Sequence, residues 1–370
     1  MLRRALLSLC LISTVASTSM AGQAKPDTVP PVVQTAASEV DALIEKHLGA
    51  GFNGVVLVQE SAASAPVIVA RGQADFEKNR LMQADTLFQI GSISKWISAV
   101  AALRLVDQGK LTLDIPIGTY LPELPPSMGK AITLRHLLSN TAGIPNGVQQ
   151  AFKKDKTIAE LRLSHLEATL RFASAPPMLA SGAGWEYSPT GWIVVAALIE
   201  RVAGTSYAVA VERLVLGPAQ TTSTAVPQTP FGEMATAALA YKASQPRELN
   251  MTPHITFIAA SGTLYSTAAD LAKLAHAVYE TPLLSEASRA ELSRIVVQTE
   301  NYALGGRIKM MDLGGRKRMV AWQTGATGAS KSVLAYVPGE GKTVVILNNT
   351  DLPQGELGTA AQALLQRLYN

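Results

Sequence analysis

The chain has 370 residues, of which 48% are apolar and 16% charged. At roughly 100–200 residues per domain it fits one large domain or two smaller ones, with enough core to need no metal or disulfide staple. The apolar share and a formal charge of only +4 exclude a disordered chain. Aromatic content of 5%, with no basic run longer than Arg316-Lys317-Arg318, argues against a nucleic-acid partner.

The N-terminus reads as an export signal. Arg3 and Arg4 precede an uncharged apolar stretch, Ala5 to Ala16, and Ser19 and Ala21 stand where a cleavage site needs small residues. That predicts a signal peptide over 1–21, too short to span a bilayer, and an exported, periplasmic or secreted product. Cys10 is the single cysteine and lies inside this segment, preceded by Leu9 rather than the small residue of a lipoprotein signal. The mature chain would then hold no thiol, which excludes cysteine nucleophiles and disulfides.

Residues 22–36, with three prolines, read as a linker. Helical spacing predicts a helix over Ala36–His47, and strand patterns follow at Gly54–Gln59 and Pro66–Arg71 with a turn at Ser61–Ala65. Phe88 to Gln108 opens on a Gly-Ser pair and continues as an apolar helix. The middle, 111–253, is loop-rich with helical pieces such as Trp192–Ala203. Strands return at Arg318–Gln323, Ser332–Val337 and Thr343–Asn348, and Leu357–Tyr369 closes as an amphipathic helix. Strand-and-helix elements at both ends around a helical insert give an α+β fold. In it, 37–110 and 254–370 form one lobe, 111–253 a mostly helical second lobe, and the cleft between them is the place for a site.

Several chemistries fail on the residues present. The five histidines (His47, His136, His165, His254, His276) show no paired spacing of a zinc site. Gly339-Glu340-Gly341-Lys342-Thr343 lacks the first glycine of a phosphate loop and reads as a hairpin turn. No G-x-S-x-G is present. What remains is Ser-x-x-Lys, which occurs twice. Ser127-Met128-Gly129-Lys130, after two prolines, reads as a loop. Ser92-Ile93-Ser94-Lys95 opens the long helix, so hydroxyl and amine share a face one turn apart. A serine hydroxyl is inert until a base takes its proton, and an amine in an apolar setting can be that base. The positive end of the helix dipole favours negative charge near Ser92. On this motif alone, a nucleophile and an ordinary helix start with a solvated lysine stand even.

The surrounding segments resemble the serine β-lactamase and penicillin-binding protein superfamily, on its class C-related branch of esterases and D-aminopeptidases. Phe88-Gln89-Ile90-Gly91-Ser92-Ile93-Ser94-Lys95 resembles the active-site segment. Ile132-Thr133-Leu134-Arg135-His136-Leu137-Leu138 with Thr141-Ala142-Gly143 is similar to another family stretch, and so is Leu113-Asp114-Ile115-Pro116 with Tyr120-Leu121-Pro122. Trp185-Glu186-Tyr187-Ser188 resembles the segment of the catalytic tyrosine. Ser261-Gly262-Thr263 with Asp270-Leu271 and Gln323-Thr324-Gly325-Ala326-Thr327-Gly328 complete the pattern.

The resemblance implies a β-lactamase/transpeptidase-like fold and roles for particular residues. Ser92 would be the acylated nucleophile, Lys95 its proton partner and Tyr187 a second base, its phenol acidified by Lys95. The N–H groups of Ser92 and Ala326 would form the oxyanion hole. Gln323, Thr324 and Gly325 would line the substrate site, with Gly325 and Gly328 keeping the strand edge open to substrate backbone. Two positions depart from the family. Pro189 stands where the pattern Tyr-x-Asn has asparagine, with Thr190 a candidate substitute. Gln323 replaces a lysine or histidine, so recognition of a carboxylate should weaken. Lys331 shares strand parity with Gln323 but by spacing points to the far end.

These readings together predict a serine hydrolase cleaving a small-molecule ester, amide or peptide through an acyl-enzyme on Ser92, without metal, cofactor or nucleic acid and without a stable membrane span. A true β-lactamase or D-alanyl-D-alanine carboxypeptidase is the first alternative. An inactive penicillin-binding-like binding module is the second. Trp96, Trp185, Trp192 and Trp322 read as packing, with Trp322 able to line the cleft. Met310-Met311 reads as core, and Arg135 with His136 as a tie between lobes.

Overall fold

A computed structural model of the chain describes residues 31–370. The predicted signal peptide and residues 22–30 of the predicted linker lie outside them. The first helix, α1, spans Pro31–Leu48 and so begins five residues before the predicted Ala36. A proline is well placed there, because a first-turn N–H has no partner within the helix.

Six strands form one antiparallel sheet. They are β1 (Gly54–Gln59), β2 (Val67–Arg71), β3 (Arg307–Leu313), β4 (Arg316–Thr327), β5 (Ser330–Val337) and β6 (Lys342–Asn348), in the order β2-β1-β6-β5-β4-β3. The two ends of the chain meet at its centre, where Gly54 pairs with Asn348 and Gln59 with Thr343. Both faces are covered. Val56, Val58, Val333, Val344 and Ile346 pack beneath α1 and α4 (Gln354–Arg367), while Val55, Leu57, Leu334, Val345 and Leu347 join the larger core on the opposite face. Burial on both sides explains why these strands read as continuous apolar runs rather than alternating ones. Each such side chain contributes about 1.5–3 kcal/mol.

β3 was not foreseen. Its sequence, RIKMMDL, mixes charges with apolar residues because it is the edge strand. Met311 is buried while Met310 is 59% exposed, so only one of that pair is core. The basic run 316–318 opens β4, and the turn before it is made by Gly314 and Gly315, both at positive φ.

α2 (Ile93–Asp107) runs through the middle of the larger core. Every residue from Ile93 to Leu103 is buried, which a helix apolar all round requires. No strand of the large sheet comes from 111–253, which instead supplies helices including Leu134–Leu138, Gly147–Lys154, His165–Phe172 and α3 (Gly191–Ala203). Arg135 ties this region to the other, bonding Asp114 and Glu291 each at 2.6 Å. The second Ser-x-x-Lys is not a loop. It overlaps a single helical turn, Pro126–Gly129, with Ser127 and Lys130 exposed. Among the described residues, no single helix is long and apolar enough to cross a membrane.

Candidate active site

The turn before α2 fixes the site. Gly91 has φ +54°, a conformation that side-chain-bearing residues rarely adopt, and a Cβ there would meet the Ala326 nitrogen at 2.5 Å. Ser92 follows at the helix N-terminus, yet its hydroxyl makes no capping bond to the backbone and is free for other partners. The Lys95 amine, 1% exposed one turn on, donates to Ser92 Oγ at 3.2 Å and also to the Ser261 carbonyl. The Tyr187 hydroxyl donates to the same Oγ at 2.6 Å. Three residues separated by up to 95 positions thus converge on one oxygen.

Lys95 Nζ also stands 4.9 Å from the centre of the Tyr187 ring. Burial alone would raise the Tyr187 phenol. The charge of Lys95, hydrogen bonds with Ser92 and Lys95, and the charge of Arg307 outweigh it and hold the phenol below its ordinary value of 10. Tyr302 differs sharply. Burial and the neighbouring Tyr187 push it far up, so it stays protonated.

Two cavities meet at Ser92 and Ala326. The larger, about 460 Å³, is lined by Tyr187, Trp185, Arg307, Gln323, Thr324 and Gly325 among others. The smaller, about 300 Å³, takes Lys95, Pro189 and Asn146 together with an apolar wall of Val148, Phe152, Ile255 and Ile258. Trp322 faces the larger cavity, as foreseen; Trp185 faces it too, which the packing assignment missed. Trp96 and Trp192 are fully core.

Three expected roles need correction. Thr190 is wholly buried, donates to Asn146 Oδ1 at 3.0 Å and accepts from the Val148 N–H at 3.2 Å. It therefore does not reach the cleft; it positions Asn146, which does. Gly325 keeps open no space for substrate backbone on the side where its Cβ would stand. A Cβ there would lie 1.9 Å from the Ile90 carbonyl and 2.4 Å from Ser332 Oγ, so its bareness lets β4 dock on the turn before Ser92. Gly328 serves the β4–β5 hairpin, at φ +54° against the Asn250 carbonyl. Lys331 approaches the Gly328 carbonyl at 3.4 Å and lines neither cavity.

Arg307, Tyr302 and Gln354 were absent from the sequence reading of the site. Arg307 comes from the unforeseen edge strand, opposite Trp322 in register. No cluster of three or more metal-ligating side chains occurs among the described residues.

A serine held between an amine and an acidified phenol is an arrangement for acyl transfer. The family model for beta-lactamase matches residues 40–368. The chain belongs to the beta-lactamase family. The family is one of serine hydrolases and includes esterases, penicillin-binding proteins and amidases. Esterase EstB of Burkholderia gladioli is 39% identical over 160 residues, covering 40% of this chain and 41% of the esterase, less than half of that protein's length. A penicillin-binding protein of Bacillus subtilis (strain 168) is 26% identical over 350 residues, 89% of this chain and 75% of that one. The crystal structure of a penicillin-binding protein from Bacillus halodurans superposes with a TM-score of 0.75 at 25% identity, covering 88% of this chain and 98% of the other. Within this beta-lactamase fold, the two departures from the family pattern occupy different cavities. Gln323 faces the larger and Pro189 the smaller.

Proposed function

We propose that the protein is an exported serine hydrolase that cleaves an ester or amide through a covalent acyl-enzyme on Ser92. The convergence of Lys95 and Tyr187 on Ser92 Oγ, at 3.2 and 2.6 Å, carries this reading. With Tyr187 as phenolate, Ser92 passes it a proton as Oγ bonds to the substrate carbonyl carbon. The carbonyl oxygen becomes an oxyanion held by the N–H groups of Ser92 and Ala326. Such donors act only where charge develops, and each is worth about 3–4 kcal/mol. Collapse breaks the bond to the leaving oxygen or nitrogen, which takes the proton from Tyr187. Water then repeats the sequence on the acyl-enzyme, with Lys95 favouring the phenolate each time Tyr187 has given up its proton.

The apolar wall beside Pro189 favours an acyl group without the amide that an asparagine side chain would bind. Esters of apolar acids are therefore the preferred substrates and β-lactams poor ones. Steady-state hydrolysis of a p-nitrophenyl ester and of a penicillin tests this, with Pro189→Asn as the second arm. The account expects the ester to be favoured and Pro189→Asn to shift preference toward the penicillin. A wild type that prefers penicillin, with the same preference in Pro189→Asn, contradicts it. Export is tested by fractionation and by sequencing the mature N-terminus, expected at Gly22.

A further inference from the structure

Behind the smaller cavity lies a third, of about 240 Å³, which the reaction at Ser92 does not use. Thr252, Pro253 and Thr263 line both, so the two cavities share one wall. The irregular segment 250–255 crosses that wall and is tied down at its start. The Asn250 N–H donates to the Ala240 carbonyl at 2.7 Å, and the Asn250 carbonyl accepts from the Ala329 N–H at 2.9 Å. Thr252 Oγ1 bonds Thr327 Oγ1 at 2.5 Å, which fixes the wall against the end of β4.

The chain also places an unused polar group in the third cavity. Side chains of successive strand residues point to opposite sides. In the two-residue strand Phe88–Gln89, Phe88 enters the main core, and Gln89 turns the other way to line this cavity. Gln89 is only 3% exposed, and its Oε1 accepts no hydrogen bond. A buried acceptor left bare costs free energy that a ligand donor recovers. Pro227, Pro230, Phe231 and Met251 supply the apolar part of the same wall. Gln89 lies three residues before Ser92, so their Cα atoms are at most about 11 Å apart. A tail of moderate length on an acyl group held at Ser92 spans that gap.

We propose that the acyl half of the substrate runs past Thr263 into the third cavity and ends in a hydroxyl that donates to Gln89 Oε1. Resting on the hydrolase reading above, this names its substrate class. The preferred esters or amides are those of acids with an apolar stem, lying on Val148, Phe152 and Ile255, and a hydroxyl at the far end. A site built to bind a hydroxyl discriminates against the analogue that lacks it, because that analogue leaves the acceptor bare. A wholly apolar cavity has the opposite preference, since there the hydroxyl loses its water and gains nothing. The sign of the preference is therefore diagnostic.

Three sets of p-nitrophenyl esters provide the test: the butanoate, plain acids of about six to ten carbons, and the same acids with a terminal hydroxyl. At the best length, the kcat/KM ratio of hydroxy to plain ester should exceed one in the wild type. It should fall about tenfold, to below one, in Gln89→Leu. Gly232→Phe fills the third cavity from its exposed rim, where a Cβ meets only Leu239 Cδ2 at 3.5 Å, and leaves the segment of Ser92 untouched. It should lower kcat/KM for the long esters of both kinds relative to the butanoate. Hydrolysis of the butanoate with a hydroxy-to-plain ratio below one at every length overturns the tail site and leaves the hydrolase reading standing. So does a ratio that Gln89→Leu does not alter, or a chain-length preference that Gly232→Phe does not change. Failure of the wild type to hydrolyse any of the esters removes both.

Discussion

Adding one methyl group at Gly325 tests how the fold holds its catalytic geometry. The new Cβ would lie 1.9 Å from the Ile90 carbonyl and 2.4 Å from Ser332 Oγ, which itself donates to that carbonyl at 2.9 Å. Real Cβ atoms do not come within 3.0 Å, so β4 must move off the turn before Ser92 by about 1 Å. The neighbouring residue on β4 is Ala326, whose N–H is one of the two donors assigned to the oxyanion. A shift of that size forfeits most of the donor, about 3 kcal/mol, or a factor of about 10² in kcat. Overpacking adds a stability cost of about 1–3 kcal/mol. Gly325→Ala should therefore remain folded by circular dichroism, melt a few degrees lower and hydrolyse a p-nitrophenyl ester about a hundredfold more slowly. Gly355→Ala, where a Cβ meets nothing within 4 Å in helix α4, is the matched control and should keep wild-type turnover. A Gly325→Ala enzyme with kcat within about threefold of wild type would refute the claim that strand docking sets the oxyanion geometry.

Other consequences follow from single contacts. Tyr187→Phe removes the group that accepts and returns the proton, and kcat should fall about 10²–10⁴-fold in the same ester assay. Because Tyr187 must be deprotonated to act and its phenol sits below 10, kcat/KM should rise with pH along a limb centred below 10. Arg307→Gln removes one of the charges lowering that phenol, so the limb should move to higher pH; a limb that stays in place contradicts the assigned cause. Thr190→Val leaves the Val148 N–H without its acceptor and should lower stability by about 1–2 kcal/mol in urea unfolding. Arg135→Ala breaks two ion pairs, one across the lobes to Glu291 and one to the largely exposed Asp114 of its own lobe, and should cost about 1 kcal/mol in the same measurement.

What the sequence revealed of this protein follows from how local each signal is. Ser92 and Lys95 were legible because they lie one helical turn apart, and the central strands because burial on both faces leaves unbroken apolar runs. Tyr187, Gln323, Thr324 and Ala326 were recognisable only through family resemblance, since nothing in spacing brings position 187 to position 92. The edge strand β3 stayed hidden, because a strand with one open side carries mixed residues such as Lys309 and Met310. Arg307 was lost with it. Thr190 was misassigned for a related reason. At the start of α3 its hydroxyl turns back to Asn146 and Val148, and only the packing of the Gly147–Lys154 helix determines that. The role of Gly325 is equally non-local, because the carbonyl that forbids a side chain there belongs to Ile90.

The central claim is that Ser92 becomes acylated, and intact-protein mass spectrometry tests it most directly. Wild type and Ser92→Ala would be incubated separately with a p-nitrophenyl ester and a penicillin, quenched in acid and weighed. The account predicts an acyl adduct or stoichiometric nitrophenol release in the wild type, an adduct mapping to the peptide containing Ser92, and neither in Ser92→Ala. An unmodified wild type without turnover of either compound would contradict it, as would an adduct that persists in Ser92→Ala.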